Sequence, residues 1–503
     1  MDIQVGTASF QVQGKAERYS DNSWTVVAQE LSIAHPWGAT EFYRHGWNSW
    51  SSTRWWQLDK KPWRVWNNPN RTLTAEDAAT DSPDIHTSSM LTALTGPDGQ
   101  TFLVGAVSGS SPTLTVTETR IVASAESDAQ WFIGVGNELA VFNEYAQALA
   151  KARNLTPLPR AAETVGPVWS SWYSWFEEIT ADIIAEEILP ARDLGYATIQ
   201  IDDGWERRVG DWRPNEKFPA GVVELAARIH DAGLQAGLWV APFIALPGTE
   251  VVDKYPQLFL QARDGLLPVG HNWGEHYYGL DLSRSDARDW LAHTMAELVS
   301  WGIDMFKLDF IYAAALQAER AGSMNREEAY RAGIETIRDA VGPDVYLLGS
   351  GAVINASIGL LNGVRVGPDT APYWDNTERH GDPTGPSVLN ALRSSLSRTW
   401  LQPLIDIDPD VAYFRTRGSL LSPQVNELTA DAALVCQFTQ CSDPAAWLTN
   451  DELARVHQWN ETARRTPKVK HTDRYKYTID GRAVDFDAWL NPAGRISDRL
   501  VVK

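Results

Sequence analysis

The chain has 503 residues, more than one hydrophobic core normally holds, because single cores stop growing near roughly 250–300 residues. Hydrophobic residues make up 44% and charged residues 21%, an ordinary globular composition that excludes a disordered or fibrous protein. The formal net charge of −20 argues against nucleic acid or an anionic membrane as a partner, because both need a basic surface. The first residues contain no apolar stretch of signal-peptide length, so we expect a soluble, cytoplasmic protein.

Tryptophan is the unusual component, with 23 residues in the chain. Its large flat ring with a polar edge suits both big cores and stacking on ligands with apolar faces, such as sugars. Only the positions of these residues can separate the two uses.

Residues 1–164 are predicted to form an N-terminal β-sandwich domain. Short β-branched segments such as TASFQVQG, SWTVVAQEL and TFLVGAVS alternate with Gly, Pro, Asp and Ser, the pattern of an all-β sandwich. Residues 41–69 differ, because they place six Trp in a segment that otherwise resembles a loop. A loop so rich in aromatic residues is a poor solvent-facing loop, so we expect it to pack against another part of the protein.

Residues 165–465 are predicted to form a (β/α)8 TIM barrel. Seven strand candidates alternate with helical segments of 3.6-residue apolar period, and VCQFTQCSD is a weaker eighth strand. The helix after the first strand has Thr180 as its expected N-cap and Gly195 as its stop. Residues 466–503, with KYTIDG, AVDFDAWL and RLVVK, are predicted to be a short C-terminal β element.

Polar residues interrupt the apolar strands at their C-terminal ends, where barrels carry their active sites. Asp202 and Asp203 end the second strand, either as a turn or as a pair of acceptors for ligand hydroxyls. Lys307 and Asp309 lie on one face of the fourth strand, either as a structural ion pair or as a nucleophilic carboxylate that Lys307 keeps ionised.

The sixth and seventh strands end in similar groups. Arg365 and Asp369 follow the sixth strand, where Asp369 is either a helix cap or, with Arg365, part of a ligand clamp. The sequence DIDPD at the end of the seventh strand is interpreted as a turn, with support of the site by Asp408 as the alternative.

Aromatic residues accompany these groups. Trp172 and Tyr173 come from the first strand and Trp239 from the third, where each either fills the core or stacks on a sugar. The histidines are scattered without an HExxH motif, and no G-x-S-x-G motif occurs, so neither a metal site nor a serine triad is predicted.

Taken together, two carboxylates on different strands, flanked by Lys, Arg and aromatic residues, predict a glycosidase site. Retaining hydrolysis needs one ionised carboxylate to attack the anomeric carbon and one protonated carboxyl to release the leaving oxygen.

The motifs WYSWF, QIDDGWE, GLWVAPF, FKLDF and RVGPDTAPYW, in this order, resemble the bacterial α-galactosidases of glycoside hydrolase family 36, particularly the shorter prokaryotic group. The resemblance covers the N-terminal region, with GWNSW, and the whole barrel. It implies a retaining exo-α-galactosidase without a cofactor, acting on a small carbohydrate and not on nucleic acid or a membrane.

The resemblance also implies roles for individual residues. Asp309 matches the nucleophile and Asp369 the general acid/base, whereas Asp202 and Asp203 match the pair that binds O4 and O6 of galactose. The remaining matches are Lys307 and Arg365 as contacts to ring hydroxyls, Trp172, Tyr173 and Trp239 as pocket aromatics, and Trp47 as a Trp inserted by the N-terminal domain.

Two positions depart from the family pattern, which leads us to expect Cys where Ser350 stands and Pro where Val353 stands. Because Ser350 is expected near the sugar 2-position, an α-N-acetylgalactosaminidase stays open as an alternative. A non-catalytic galactoside-binding protein is a second alternative, disfavoured because both candidate carboxylates are present.

Overall fold

The computed structural model describes residues 1–5, 7–65, 73–77, 84–379 and 381–491. An antiparallel sheet precedes a parallel barrel, and a small antiparallel sheet follows it. Among the helices in these ranges, none has both the length and the apolarity that a membrane crossing needs.

Within the described residues, the N-terminal sheet has eleven strands that are all joined by hydrogen bonds. They are Asp2–Val5, Ala8–Val12, Ala16–Arg18, Ser23–Ala34, Glu41–Arg44, Arg54–Gln57, His86–Ser89, Leu91–Thr95, Thr101–Ala106, Thr113–Val116 and Arg120–Gly136. Phe10 stacks on Phe102 with ring centroids 4.0 Å apart, although their strands are three positions apart in the sheet. Flat strands at that spacing would lie about 14 Å apart, so the sheet folds back on itself around an apolar core.

The prediction of strands throughout the N-terminal region is wrong at residues 138–152, because Glu138–Ala152 is an α-helix. The Asn137 side chain caps its first turn by accepting from Leu139 N–H. Val141, Tyr145 and Leu149 recur every four residues and are buried against the sheet, a helical period that the sequence already contained.

The predicted barrel is present as a curled sheet of eight parallel strands. In chain order these are Val168–Ser170, Thr198–Ile201, Gln235–Val240, Met305–Leu308, Tyr346–Gly349, Gly363–Arg365, Asp406–Asp408 and Gln440–Cys441, here called the first to the eighth barrel strands. A parallel bridge between Ala412 and Cys441 closes the ring between the chain after the seventh strand and the eighth.

Helices separate the barrel strands as the apolar period predicted. The longer ones are Ala181–Asp193, Gly221–Asp231, Ser285–Val299, Arg326–Val341, Val388–Ser397, Pro423–Cys436 and Asn450–Arg464, and the shorter ones are Trp172–Trp175, Glu250–Lys254 and Ile354–Ser357. Thr180 caps the first long helix through Ile183 N–H, and Gly195 follows it with a φ of 86°, as expected for a cap and a stop. Single 3₁₀ turns lie at Ala161–Glu163, Phe176–Glu178, Pro256–Leu258, Ile311–Ala315, Thr399–Leu401 and Ala445–Trp447.

Short strands extend the loops at the C-terminal end of the barrel. A hairpin of Glu206–Arg208 and Asp211–Pro214 follows the second strand, and the strands Ile244–Ala245, Gln261–Ala262, Gly265–Leu266, Pro268–Asn272 and Glu275–Gly279 follow the third. The last two of these strands supply His271, Asn272 and Tyr277 to the cavity described below.

The chain after the barrel forms a three-stranded sheet of Val469–Asp473, Lys476–Ile479 and Arg482–Asp485. The strand predicted through AVDFDAWL ends at Asp485, because Asp487–Leu490 is a helical turn. The predicted strand RLVVK lies outside the described residues.

The described part of the aromatic segment, which includes the strands Glu41–Arg44 and Arg54–Gln57, packs against the rest of the protein, as its composition predicted, and its residues 46–53 contact the barrel. Ser49 N–H donates to Ala352 O at 2.9 Å, and Ala352 N–H donates to Ser49 Oγ at 3.1 Å. The fully buried guanidinium of Arg398 donates to the carbonyls of Gly46, Asn48 and Ser49 at 2.7–3.1 Å. The segment 46–53, called the docking loop below, is therefore held by the barrel itself.

Candidate active site

A cavity of about 470 Å³ lies at the C-terminal ends of the barrel strands. Eight of the residues predicted for the site line it: Trp172, Asp202, Asp203, Trp239, Lys307, Asp309, Arg365 and Asp369. Cavities that hold small ligands are usually of this size and combine aromatic walls with a few polar groups.

Asp309 follows the fourth strand directly and has both carboxylate oxygens in contact with donors. Trp239 Nε1–H donates to Oδ2 at 3.0 Å, and the backbone N–H of Phe310 donates to Oδ1 at 3.0 Å. Burial raises the pKa of Asp309, whereas the charge of Lys307 lowers it. The negative charge of Asp369 also raises this pKa, so the two carboxylates are close enough to interact.

Asp369 lies across the cavity on the chain after the sixth strand. Arg365 donates to its Oδ1 at 2.8 Å and, through the same nitrogen, to Asp410 Oδ2 at 2.6 Å. The Asp369 side chain is 41% exposed, whereas Arg365 and Asp410 are each 2% exposed. The buried guanidinium of Arg365 therefore holds the more exposed carboxylate of Asp369 in place.

Lys307 forms its ion pair with Asp202 and not with Asp309, so the structural ion pair, one of the two interpretations of Lys307 and Asp309, is not present. Its Nζ donates to Asp202 Oδ2 at 2.9 Å. Gln200 Nε2 donates to the same oxygen, so Asp202 is fixed by its neighbours on both sides. The charge of Lys307 reaches Asp309 as a field rather than as a hydrogen bond.

Asp203 points into the cavity beside a second buried carboxyl group. Trp273 Nε1–H donates to Asp203 Oδ2 at 2.9 Å. Burial raises the pKa of Asp203 well above its ordinary range, and the adjacent Glu206 raises it further. Burial likewise raises the pKa of Glu206, which is hydrogen-bonded to Asp203.

Two predicted aromatic contacts lie elsewhere. Tyr173 is buried behind the cavity, where its hydroxyl donates to Asp410 and lies 3.3 Å from an Arg365 nitrogen. Trp47 packs edge-on against Tyr312, with ring centroids 6.3 Å apart, and does not line the cavity. Trp50 takes the place predicted for Trp47, because a turn closed by the 3.1 Å bond from Ser51 N to Asn48 O reverses the docking loop between them.

Ser350 lies just behind the cavity and is 1% exposed. Its Oγ accepts a 3.2 Å hydrogen bond from Trp50 Nε1, and its hydroxyl interacts with the Asp309 carboxylate, which lowers the pKa of that group. Val353, the second departure, pairs with Asn48 of the docking loop.

Sequence reasoning did not single out Trp50, which lines the cavity, or Glu206, Trp273 and Asp410, which hydrogen-bond to residues that line it. Asp410 was interpreted as part of a turn. Trp50 and Glu206 stand inside the quoted motifs GWNSW and QIDDGWE, whereas nothing in the local sequence marks Trp273. Among the described residues, no three His, Cys, Asp or Glu side chains are grouped so that they could hold a metal ion.

Comparison with known proteins places this site in a family. Residues 153–337 match the family model Melibiase. The α-galactosidase TtGalA of Thermus thermophilus, solved with p-nitrophenyl α-D-galactopyranoside, is 35% identical, with 97% of this chain and 98% of that chain covered at a TM-score of 0.88.

A curated relative, the α-galactosidase AgaA of Geobacillus stearothermophilus, is 29% identical over 178 residues. The match covers 32% of this chain but 23% of that relative. The crystal structure of AgaA, a family 36 α-galactosidase, superposes with a TM-score of 0.63 at 15% identity, which speaks for the fold alone. The resemblance predicted from the motifs is confirmed, and the chain belongs to glycoside hydrolase family 36, the family of these α-galactosidases.

Proposed function

We propose that the protein is a retaining exo-α-galactosidase that hydrolyses terminal, non-reducing α-D-galactosyl residues of galactosides and oligosaccharides. The observation that carries this proposal is the pair Asp309 and Asp369, which line one cavity and interact electrostatically. Family membership and the ligand of the Thermus relative, an aryl α-galactoside, support it.

The reaction proceeds in two displacements. Ionised Asp309 attacks the anomeric carbon, the bond to the leaving oxygen breaks, and protonated Asp369 donates its proton to that oxygen. Asp369, now ionised, takes a proton from water, which attacks the anomeric carbon and releases Asp309. Two inversions return the sugar to its starting α-configuration.

The other groups around the cavity bind the sugar. Asp202 and Asp203 accept from O4 and O6, and Lys307 and Arg365 contact ring hydroxyls. An acceptor fixed for the axial O4 of galactose is left unpaired by an equatorial hydroxyl, which gives discrimination against glucose. Trp172, Trp239 and Trp50 enclose the apolar faces of the ring.

We also propose the domain division that the sequence predicted, with a β-sandwich at 1–164, a catalytic barrel at 165–465 and a small element at 466–503. In this division the first domain supplies Trp50 to the cavity of the second. The long sheet that folds back on itself supports the first assignment.

The test uses p-nitrophenyl α-D-galactopyranoside and its 2-acetamido-2-deoxy analogue, with NMR of the first-formed sugar. We expect faster release from the galactoside and α-galactose as the first product. A first product of β-configuration would contradict the retaining mechanism. Preference for the analogue would favour the N-acetylgalactosaminidase, and galactose binding in calorimetry without hydrolysis would favour the binding protein.

A further inference from the structure

Trp273 stands in the turn of a hairpin whose two strands are Pro268–Asn272 and Glu275–Gly279. Two residues form the turn, and both have positive φ, 50° for Trp273 and 77° for Gly274, as a type I′ hairpin turn requires. Asn or Asp followed by Gly usually occupies such a turn, and a bulky aromatic residue with positive φ is uncommon. Strained residues of this kind cluster at active sites and ligand clamps, so the conformation of Trp273 points to a role for its side chain in the site.

The indole of Trp273 connects Asp203 to the surroundings of the nucleophile. Its Nε1–H donates to Asp203 Oδ2 at 2.9 Å. Its ring packs against those of Trp239 and Phe310, with centroids 6.3 Å and 5.1 Å apart. Trp239 and Phe310 are the residues whose N–H groups donate to Asp309. The indole is thus held by rings that belong to the site itself, and its N–H has a fixed direction.

The bond from Trp273 fixes the orientation of the Asp203 carboxylate. An indole N–H can only donate, so Asp203 Oδ2 is an acceptor in this contact and does not carry a proton. A carboxylate oxygen has two lone pairs, so Oδ2 keeps one for a sugar hydroxyl. The Asp203 backbone is fixed as well, because its N–H donates to Asp202 Oδ1 at 3.0 Å. Rotation of the side chain is the freedom that is left, and the Trp273 indole removes it.

We propose that Trp273 is a positioning residue that sets the specificity of the site, because its indole N–H holds Asp203 in the orientation that accepts from a sugar hydroxyl. The inference rests on the proposed function, in which Asp203 accepts from O4 or O6 of galactose. An acceptor held in one direction rejects a sugar whose hydroxyl is missing or misplaced, because the buried carboxylate then stays unpaired. The hairpin that follows the third barrel strand therefore decides how strictly Asp203 discriminates between sugars.

The test compares kcat/KM for p-nitrophenyl α-D-galactopyranoside with kcat/KM for its 4-deoxy and 6-deoxy analogues, each of which lacks one hydroxyl. Asp203→Ala identifies the hydroxyl that Asp203 binds, because this variant should lower kcat/KM far more for the galactoside than for the analogue without that hydroxyl. Trp273→Phe keeps a ring but loses the N–H. It should lower kcat/KM for the galactoside about tenfold, the size expected for one hydrogen bond to a charged group, and leave kcat/KM for that same analogue unchanged.

All substrates are measured on one enzyme preparation, so partial unfolding of a variant cancels in the ratio of the kcat/KM values. Trp273→Asn is a second variant, which supplies the Asn-Gly dipeptide that type I′ turns favour and so keeps the hairpin folded. Its side chain is too short to place a donor where the indole N–H stands, so it should change the ratio as Trp273→Phe does. Glu275→Gln is the matched control, because Glu275 lies on the same hairpin and pairs with Arg208 at the surface at 2.6 Å, and it should leave the ratio unchanged.

If Asp203→Ala shows its preference but Trp273→Phe loses activity equally on all three substrates, or loses none, the proposal is overturned, since a merely structural role affects the three alike. Failure of the proposed function gives a different result. In that case the wild type itself does not hydrolyse the galactoside, or Asp203→Ala loses activity equally on all three substrates.

Discussion

Lys307 and Asp202 form an ion pair of 2.9 Å in which the two side chains are 6% and 2% exposed. A buried pair of this kind contributes little net stability compared with well-packed apolar residues of similar volume. The pair fixes an acceptor at the base of the cavity while the charge of Lys307 lowers the pKa of Asp309. One cation thus contacts Asp202, the proposed sugar-binding carboxylate, and acts by its charge on Asp309, the proposed nucleophile.

Asp309→Asn should lower kcat at least about 10³-fold, because an amide cannot form the covalent sugar intermediate. The measurement is steady-state release of p-nitrophenol. Asp304→Asn is a matched control. Asp304 comes directly before the strand Met305–Leu308, whereas Asp309 comes directly after it, and Asp304 pairs with His230 at the surface. Near-normal turnover of Asp309→Asn would contradict the assignment of the nucleophile.

Asp369→Gly should be slow but rescued by azide on an aryl galactoside with a good leaving group, because azide attacks the sugar–enzyme intermediate without a general base. The product should be the α-galactosyl azide, formed by two inversions. Asp309→Gly is the matched control. In this variant azide should attack the substrate itself, on the face of the sugar opposite the leaving group, and give the β-galactosyl azide by one inversion. The same anomer from both variants would exclude the proposed pair of roles.

Asp410→Asn should lower kcat more for an alkyl α-galactoside, whose leaving oxygen needs a proton, than for an aryl α-galactoside with a good leaving group. Asp410 shares the Arg365 guanidinium with Asp369, so loss of its charge releases Arg365 and disturbs the placement of the carboxyl group that protonates the leaving oxygen.

Asp406→Asn is the control for this change, because Asp406 begins the strand that Asp410 follows and accepts from Arg160 and Tyr346 at that opposite end. It should change the melting temperature without changing the ratio of kcat for the two substrates. An equal change of this ratio in both variants would refute a specific role for Asp410.

Asp408→Asn should stabilise the fold, and more at pH 7 than at pH 5. Burial raises the pKa of Asp408 from 3.8 to about 6. Because the folded-state pKa is raised, the stability associated with this group is fully present below about pH 4 and is lost as the pH rises through about 6.

Asparagine carries no such cost, and its amide oxygen can still accept from Asp410 N–H, as Asp408 Oδ1 does at 2.8 Å. Between pH 5 and pH 7 we expect the variant to gain about 1 kcal/mol relative to the wild type. Thermal melting of both proteins at both pH values measures this gain. A difference between them that does not depend on pH would contradict the ionisation of Asp408.

The sequence by itself determined the barrel, most of its helices and eight residues that line the cavity. Apolar runs that end in Asp, Lys or Arg identify strand ends, and the C-terminal ends of parallel strands meet at one edge. Local periodicity and order along the chain therefore singled out these strand ends, whereas the family resemblance implied the roles of their residues. The helix Glu138–Ala152 was missed although its period is local, because the strands before it dominated the interpretation.

Only the tertiary structure decided which groups touch. Lys307 pairs with Asp202 and not with Asp309, because inward-pointing side chains of alternate strands, here the second and the fourth, meet in one layer inside the closed barrel. Trp50 and not Trp47 enters the cavity, because a turn and the carbonyl contacts of Arg398 orient the docking loop. Such contacts join residues far apart in the chain, and they depend on strand stagger and loop docking, which local patterns of residues do not encode.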